Sequence, residues 1–341
     1  MSKIVDMLEY KAKRYALVIN LFDNTNKTTD TELSDEMKTF YSDHLIDLAQ
    51  PELIHDQFAD KYPIPQRGGK TIEFRKFNSL GKALTPLTEG VTPAGQKLEV
   101  SNITATVSQY GGYVETSDVL QLTAIDPIVV QATEKIASQA GQTLDTITRE
   151  VVNGGTNVMY APKGETAITS RAAVDNDCLL TPAVIRKAVM LLKRQNAPKF
   201  DGAYVAIIHP DVAHDLMSNE EWIDIHKYES SANIFEGEIG KLAGVRFVEN
   251  TEAKIFMGEG NSSANVYSTM ILGKGAYATT EVTGGGLRHI VKQLGSAGTA
   301  DPLDQRATVG WKAIKTAERL IEQYMVRVES GASEGATAIA N

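Results

Sequence analysis

Between Arg67 and Gly155 the sequence sets out a long β-hairpin and then, almost at once, a long helix. The first strand covers residues 70–77, with Ile72 and Phe74 on one face and Glu73 and Arg75 on the other. The return strand covers residues 98–110. There Ile103, Ala105 and Val107 alternate with Thr104, Thr106 and Ser108, a period of two. Between the strands lies Leu84-Thr85-Pro86-Leu87-Thr88-Glu89-Gly90-Val91-Thr92-Pro93-Ala94-Gly95, too long for a tight turn and carrying apolar residues. A hairpin of this length with so little apolar content is hard to bury within its own domain. It is shaped to lie on another copy of the chain.

The helix that follows has Asp126 as N-cap, Pro127 at its first position and Asn153-Gly154-Gly155 as its end. The stripe Val129, Ala132, Ile136, Ala140, Leu144, Ile147, Val151 repeats at steps of three and four. At 1.5 Å per residue the helix is on the order of 40 Å long. Glu134, Lys135, Asp145, Arg149 and Glu150 occupy the other face, which is expected to be solvated or at an interface.

Composition removes several classes of function. A chain of 341 residues holds one large domain or two ordinary ones. The net charge of −9 argues against a dedicated nucleic-acid binder, which carries a basic surplus. It is compatible with a protein that sits beside DNA without sticking to it. No apolar run approaches the roughly 20 residues that span a bilayer, and residues 1–10 carry charges throughout, with no apolar signal-peptide core. The single cysteine, Cys178, excludes an intramolecular disulfide framework and fits a reducing cytoplasm.

The remaining elements are read from periodicity and punctuation. Residues 1–29 are polar and form an arm with a short helix at most. A helix is predicted over residues 34–49, capped by Ser34, and a short helical piece at Leu53, Ile54 and Phe58. Tyr62-Pro63-Ile64-Pro65 forces an extended path, and Gln66-Arg67-Gly68-Gly69 is a turn. Further helices are predicted over residues 181–196 and 211–217. Strands are predicted over residues 203–208, 245–248, 265–272, 277–282, 287–294, 307–318 and 320–329, with residues 228–244 a loop. The tail, residues 330–341, is small and polar and is expected to be disordered.

The candidate chemistry is thin. His209, Asp211, His214 and Asp215 are the densest set of possible metal ligands, but Asp211 is better explained as the N-cap of the next helix. Residues 237–244 look like a phosphate loop yet lack its Gly-Lys-Ser/Thr ending. Gly284-Gly285-Gly286 stands between two strands, with no helix to receive a pyrophosphate. Cys178 has no basic neighbour in sequence and is read as a buried, inert thiol. Neither a catalytic set, nor a cofactor, nor a metal is expected. The one charge feature that stands out is the basic cluster Arg67, Lys70, Arg75, Lys76 and Lys82 on the hairpin. It is either a solvated face or a partner for a carboxylate-rich surface of a neighbour, such as the acidic stretch 30–47.

Several motifs in a fixed order carry a resemblance. They are the Pro-Ile-Pro turn, Gly-Gly-Lys-Thr-Ile-Glu-Phe-Arg, Thr-Pro-Leu-Thr-Glu-Gly-Val-Thr-Pro, and Leu-Thr-Ala-Ile-Asp-Pro before the long helix. Gly154-Gly155-Thr156-Asn157-Val158, His209-Pro210-Asp211 and Val309-Gly310-Trp311-Lys312-Ala313 continue the series. The chain resembles, over roughly residues 33–330, the major capsid proteins of tailed bacteriophages, in the branch without a cleaved N-terminal scaffolding domain.

The resemblance implies an α+β chain with the Hong Kong 97-type shell fold. Residues 1–66 would be the N-terminal arm and 67–112 the extended loop. Residues 113–180 would be the peripheral domain with its spine helix, 126–153. Residues 181–305 would be the axial domain, 306–330 the return strands of the peripheral domain, and 331–341 the tail. The implied function is assembly, without enzymatic activity, into hexamers and pentamers of an icosahedral head in the virion. That head would be built in the bacterial host cytoplasm and would enclose double-stranded DNA, contacted non-specifically. Implied partners are other copies of the chain, a portal protein and scaffolding or decoration proteins, with no membrane. Subunit contacts are expected at Arg67, Lys70, Arg75, Lys76, Lys82, Leu84, Leu87, Glu89 and Val91. The alternatives are an encapsulin-type cellular compartment and, remotely, a metal-dependent enzyme using His209 and His214.

Overall fold

The computed structural model describes residues 54–77, 80–87, 89–90, 92, 95–123, 128–226, 240–296, 301–335 and 341. Residues 1–29, the helix over 34–49, the acidic stretch 30–47, Val91, the cap Asp126-Pro127 and residues 228–239 of the predicted loop lie outside them.

The predicted stripe organises the first layer. The long helix α3 (Ile128–Asn153) buries Ile136, Ala137, Ala140 and Leu144 against Val309, Trp311 and Ala313 of strand β13 (Arg306–Arg319). β13 is the centre of a five-stranded sheet. On one side it pairs antiparallel with β11 (Tyr277–Glu281) and β12 (Arg288–Lys292). On its other side it pairs with β4 (Ser108–Ser117) over ten residues, from Arg306↔Ser117 to Lys315↔Ser108. The two-residue β1 (Asp60–Lys61) joins β11 in parallel.

The second layer is a seven-stranded sheet. Its order is β5 (Val158–Tyr160), β14 (Met325–Ser330), β10 (Val266–Leu272), β6 (Tyr204–Ile208), β8 (Val245–Glu249) and β7 (Lys241–Leu242), with β9 (Ile255–Phe256) on β10. Every residue of β6 and β10 is buried, because both faces are covered. Tyr204, Ala206 and Ile208 pack on one side with α4 (Pro182–Arg194) and α5 (Pro210–Met217). Val205 and Ile207 point to the other side, toward Phe58, Val152 and Tyr277. α6 (Glu220–His226) adds Trp222 to the first of these cores.

Several sequence expectations change here. The return strand over 98–110 is not one strand. It divides at Val107 into β3 (Val100–Thr106), which pairs with β2 (Thr71–Phe77), and β4, which pairs with β13. A period of two cannot mark such a hand-over, because both halves keep the same alternation. The short helical piece expected at Leu53, Ile54 and Phe58 is the one-turn helix α1 (Ile54–Gln57), whereas α2 (Asp118–Thr123) was not predicted. The two late runs lie in different sheets, β13 in the first and β14 in the second. The start of the tail is ordered: Ser330, Gly331 and Ala332 are buried, Ser333 donates to Asp215, and Asn341 donates to Ala253 O at 2.6 Å. Small polar residues read as disorder in sequence, but here they fit where a larger side chain would not. A Cβ on Gly331 would stand 2.1 Å from Asp175 O.

Candidate subunit interface

β2 and β3 pair antiparallel in strict register, from Thr71↔Thr106 to Phe77↔Val100. The root of this hairpin is built into the protein. Ala105 and Val107 are buried, and Val107 N donates to Lys70 O at 2.9 Å. The turn before it needs left-handed backbone at Arg67 (φ 67) and Gly69 (φ 88). Beyond the root, burial stops. Leu84 is 82% exposed and Leu87 77%, with Leu80, Leu98 and Val100 about half exposed. Gln96 Nε2 donates to Gly81 O at 3.0 Å, tying the two arms together within the loop.

Arg67, Lys70, Arg75, Lys82 and Glu89 are exposed and Lys76 is half-buried. None of the five basic residues of the cluster forms an ion pair within the described residues. Val91 lies outside those residues.

The root of the hairpin is fixed by a polar socket that the sequence reading missed. α1 sits against α3 with almost no exposure: His55 is 1% and Asp145 0% exposed. The Asp145 carboxylate accepts from His55 N at 2.7 Å and meets His55 Nδ1 at 2.6 Å. Asp56 accepts from Thr148 Oγ1 at 2.6 Å and pairs with Lys315 of β13. Lys315 Nζ also donates to Leu144 O at 3.0 Å, and the Tyr277 hydroxyl donates to His55 O. Burial pushes the Tyr277 hydroxyl well above its ordinary range, with the nearby carboxylates Asp56, Asp145 and Asp60 adding to the shift.

Two residues expected on a solvated helix face, Asp145 and Arg149, are therefore buried. Arg149 Nη1 donates to Glu252 O at 2.9 Å and its Nη2 to Glu150 at 3.0 Å. Burial alone would raise the Glu150 carboxyl, but Lys254 and Arg149 together outweigh it and hold it low. The signal available was the spacing: Asp145, Thr148 and Arg149 share one face, and polar residues so grouped can bond as a set.

The other candidates take structural roles. His209, not Asp211, caps α5: its Nδ1 accepts from Asp211 N at 3.2 Å. Asp211 instead accepts from the Tyr267 hydroxyl at 2.6 Å. The two were confused because Pro210 occupies the first helical position, which moves the cap two residues earlier, to His209. Burial holds the His209 imidazole below its ordinary range, partly offset by Asp211. His214 is exposed and lies 3.6 Å from Asp215. Among the described residues no three His, Cys, Asp or Glu side chains gather closely enough to hold a metal ion. Cys178 is buried beside Asp175, its Sγ 3.2 Å from the carboxylate, and burial pushes its thiol up. Among the described residues no helix is long and apolar enough to cross a membrane.

Comparisons with known proteins give a family-model match and a set of similar folds. A family model described as phage capsid protein matches residues 122–293. No curated protein sequence matches the chain. Among solved structures, the capsid of cyanophage P-SCSP1u has a TM-score of 0.62 at 16% identity, covering 81% of this chain and 87% of that one. The capsid of Ralstonia phage GP4 matches with a TM-score of 0.62 at 15% identity, over 81% of this chain and 87% of its own. A subunit of the cyanophage Pam1 capsid does so with a TM-score of 0.62 at 16% identity, over 79% and 86%.

Proposed function

The chain belongs to the phage capsid protein family and has the Hong Kong 97-type shell fold, and from that premise we propose how it builds its shell. It is a major capsid protein, a component of the virion that associates with copies of itself. In the proposed assembly, copies form the hexamers and pentamers of an icosahedral tailed-phage head around double-stranded DNA, within the host cytoplasm. The hairpin over residues 67–112 is the extended loop, and it lies on the next subunit. α3 is the spine of a peripheral domain made of residues 113–180 and 306–330. Residues 181–305 form mainly the axial domain, apart from β11 and β12, which pair with β13. Arg67, Lys70, Arg75, Lys76, Lys82, Leu84, Leu87, Glu89 and Val91 make the contact.

One observation carries the reading: Leu84 and Leu87, more than three-quarters exposed on a hairpin whose root is firmly buried. An apolar tip on a fixed stem is costly to leave in water and is relieved by a neighbour. Many such contacts, each weak, add up in a closed shell. The net charge of −9 suits an inner surface that holds DNA without binding it tightly. A portal protein, with scaffolding or decoration proteins, makes up the further partners proposed in this reading, and no catalytic step is part of it. Deleting residues 84–95 is expected to leave a soluble, folded subunit that forms no shells. Normal shells by electron microscopy after that deletion would refute the proposal.

A further inference from the structure

The hairpin reading leaves open what the tip lands on. Away from the hairpin, large apolar side chains stand exposed where β4 runs into α2: Leu122 is 85% and Tyr113 71% exposed. Leu303, in the loop entering β13, is 75% exposed. These residues share one corner of the fold. Ser117 pairs with Arg306, and Asp118 N donates to Gln305 O at 3.0 Å, two residues from Leu303. β4 is also an edge strand, since β13 is its only partner among the described strands.

The charge of this corner is opposite to that of the hairpin. Residues 113–123 and 301–306 hold Glu115, Asp118, Asp301 and Asp304 against a single base, Arg306. Arg306 is taken up by Glu115 at 3.3 Å and Asp301 at 3.8 Å. The hairpin, residues 67–106, holds six basic residues against three acidic ones. Asp301 is buried, so the part of this corner that faces solvent carries Glu115, Asp304 and the half-buried Asp118 against Arg306, and each surface has an exposed apolar centre with a net charge opposite to the other's.

We propose that this corner is the seat for the hairpin of the next copy, with Leu84 and Leu87 of one subunit covering Leu122 and Leu303 of its neighbour. The basic arm then lies along the acidic rim. The inference rests on the reading of the hairpin as an inter-subunit arm and names its receiving surface.

The test is a disulfide between the two surfaces in assembled particles. Leu87→Cys and Leu122→Cys are combined in a Cys178→Ser background, and the particles are oxidised mildly and run on a non-reducing gel. The expected result is a ladder of covalent multimers from the double variant and from neither single one. Intact particles without a ladder overturn the seat. A ladder from Leu122→Cys alone overturns it too, because it places a second corner there instead. Leu122→Asp is the independent arm. The side chain is exposed, so the subunit is expected to keep its melting temperature while its yield of shells falls at least tenfold. Shells at the normal yield overturn the seat. The deletion of 84–95 separates the two claims: shells without the tip sink the hairpin reading itself. No shells after the deletion but normal shells with Leu122→Asp sink the seat alone.

Discussion

Asp145→Ala is the sharpest test of how the base of the hairpin is held. Asp145 is wholly buried, and its carboxylate is the acceptor for two groups of His55, the backbone N at 2.7 Å and Nδ1 at 2.6 Å. Asn250 Nδ2 stands farther off, at 3.5 Å. Truncation leaves two buried donors with no acceptor, at about 1–3 kcal/mol each. That sum agrees with the loss of about 3–5 kcal/mol on breaking a buried charged pair. It is a large share of a total stability of about 5–15 kcal/mol. At about 2–4 °C per kcal/mol for a mid-sized domain, the melting temperature falls by roughly 6–20 °C. Tryptophan fluorescence of the unassembled subunit reports the transition, since Trp222 and Trp311 are both buried. The double change His55→Leu with Asp145→Leu removes both polar partners and fills the volume, so it recovers part of the loss. Recovery stays partial because the His55 backbone N–H is still orphaned. A loss below about 1 kcal/mol for Asp145→Ala, or a double variant no better than the single one, refutes the socket as a source of stability.

Three further outcomes follow from the same coordinates. Burial holds the imidazoles of His209 and His289 below the ordinary value near 6.5. The unfolded chain therefore binds more protons than the folded one below that pH, and stability falls as pH drops through it. Glu150 is held low despite its burial, by Lys254 and Arg149, and Glu322 is held low by the Thr156 backbone N–H, so a second loss begins below about pH 4.5. A melting temperature that rises between pH 7 and pH 5 contradicts this. Gly310→Ala places a Cβ 2.8 Å from Tyr113 Cβ and 2.9 Å from Gly112 O, on the central strand of the five-stranded sheet. It is expected to cost about 1–3 kcal/mol by overpacking, read from urea midpoints, and an unchanged midpoint argues against this register. Cys178, buried with a raised thiol, is expected to react with a thiol reagent only on unfolding; rapid labelling of the native subunit contradicts the burial.

The parts of the fold that were legible in sequence are those where one physical signal acts alone. The stripe from Ala132 to Leu144 could only be a helix with one buried face, and Ile136, Ala140 and Leu144 are buried on β13. The five buried residues of β6 were legible as a short apolar run before Pro210. The hairpin tip was legible for the opposite reason. Leucines among Thr, Pro and Gly have nothing local to pack on, so exposure followed from composition. What was not legible depended on distant partners. A carboxylate on a polar helix face looks solvated until His55, 90 residues away, is brought to it. The division of the return strand at Val107 is of the same kind, because alternation describes a strand but not which neighbour it pairs with. The proposed seat at Leu122 and Leu303 joins residues about 180 positions apart, which the pairing of β4 with β13 brings to one corner.

The socket and the hairpin are two ends of one stiff connection. After α1 the chain gives up little freedom before β2 begins. Lys61 is paired with Thr279, Tyr62 N donates to Thr279 O at 3.1 Å, and Ile64 N donates to Glu281 O at 2.7 Å. Ile64 O accepts in turn from Thr283 N at 2.8 Å. The turn that follows is crowded, with the Cβ position of Gly68 only 2.9 Å from Pro65 O. Backbone hydrogen bonds and a crowded turn therefore join the buried side chains of His55 and Asp56 to the first residue of the hairpin. A long arm reaches a fixed point on a neighbour only if its base is held, because a small rotation at the root becomes a large displacement at the tip. Buried polar groups suit this better than apolar packing. Hydrogen bonds such as those of His55 to Asp145 are satisfied in one arrangement and penalised in others, whereas an apolar contact slides at little cost. The socket thus contributes definition of direction as well as stability, and direction is what the arm needs if it is to find the proposed seat at Leu122 and Leu303 of another subunit.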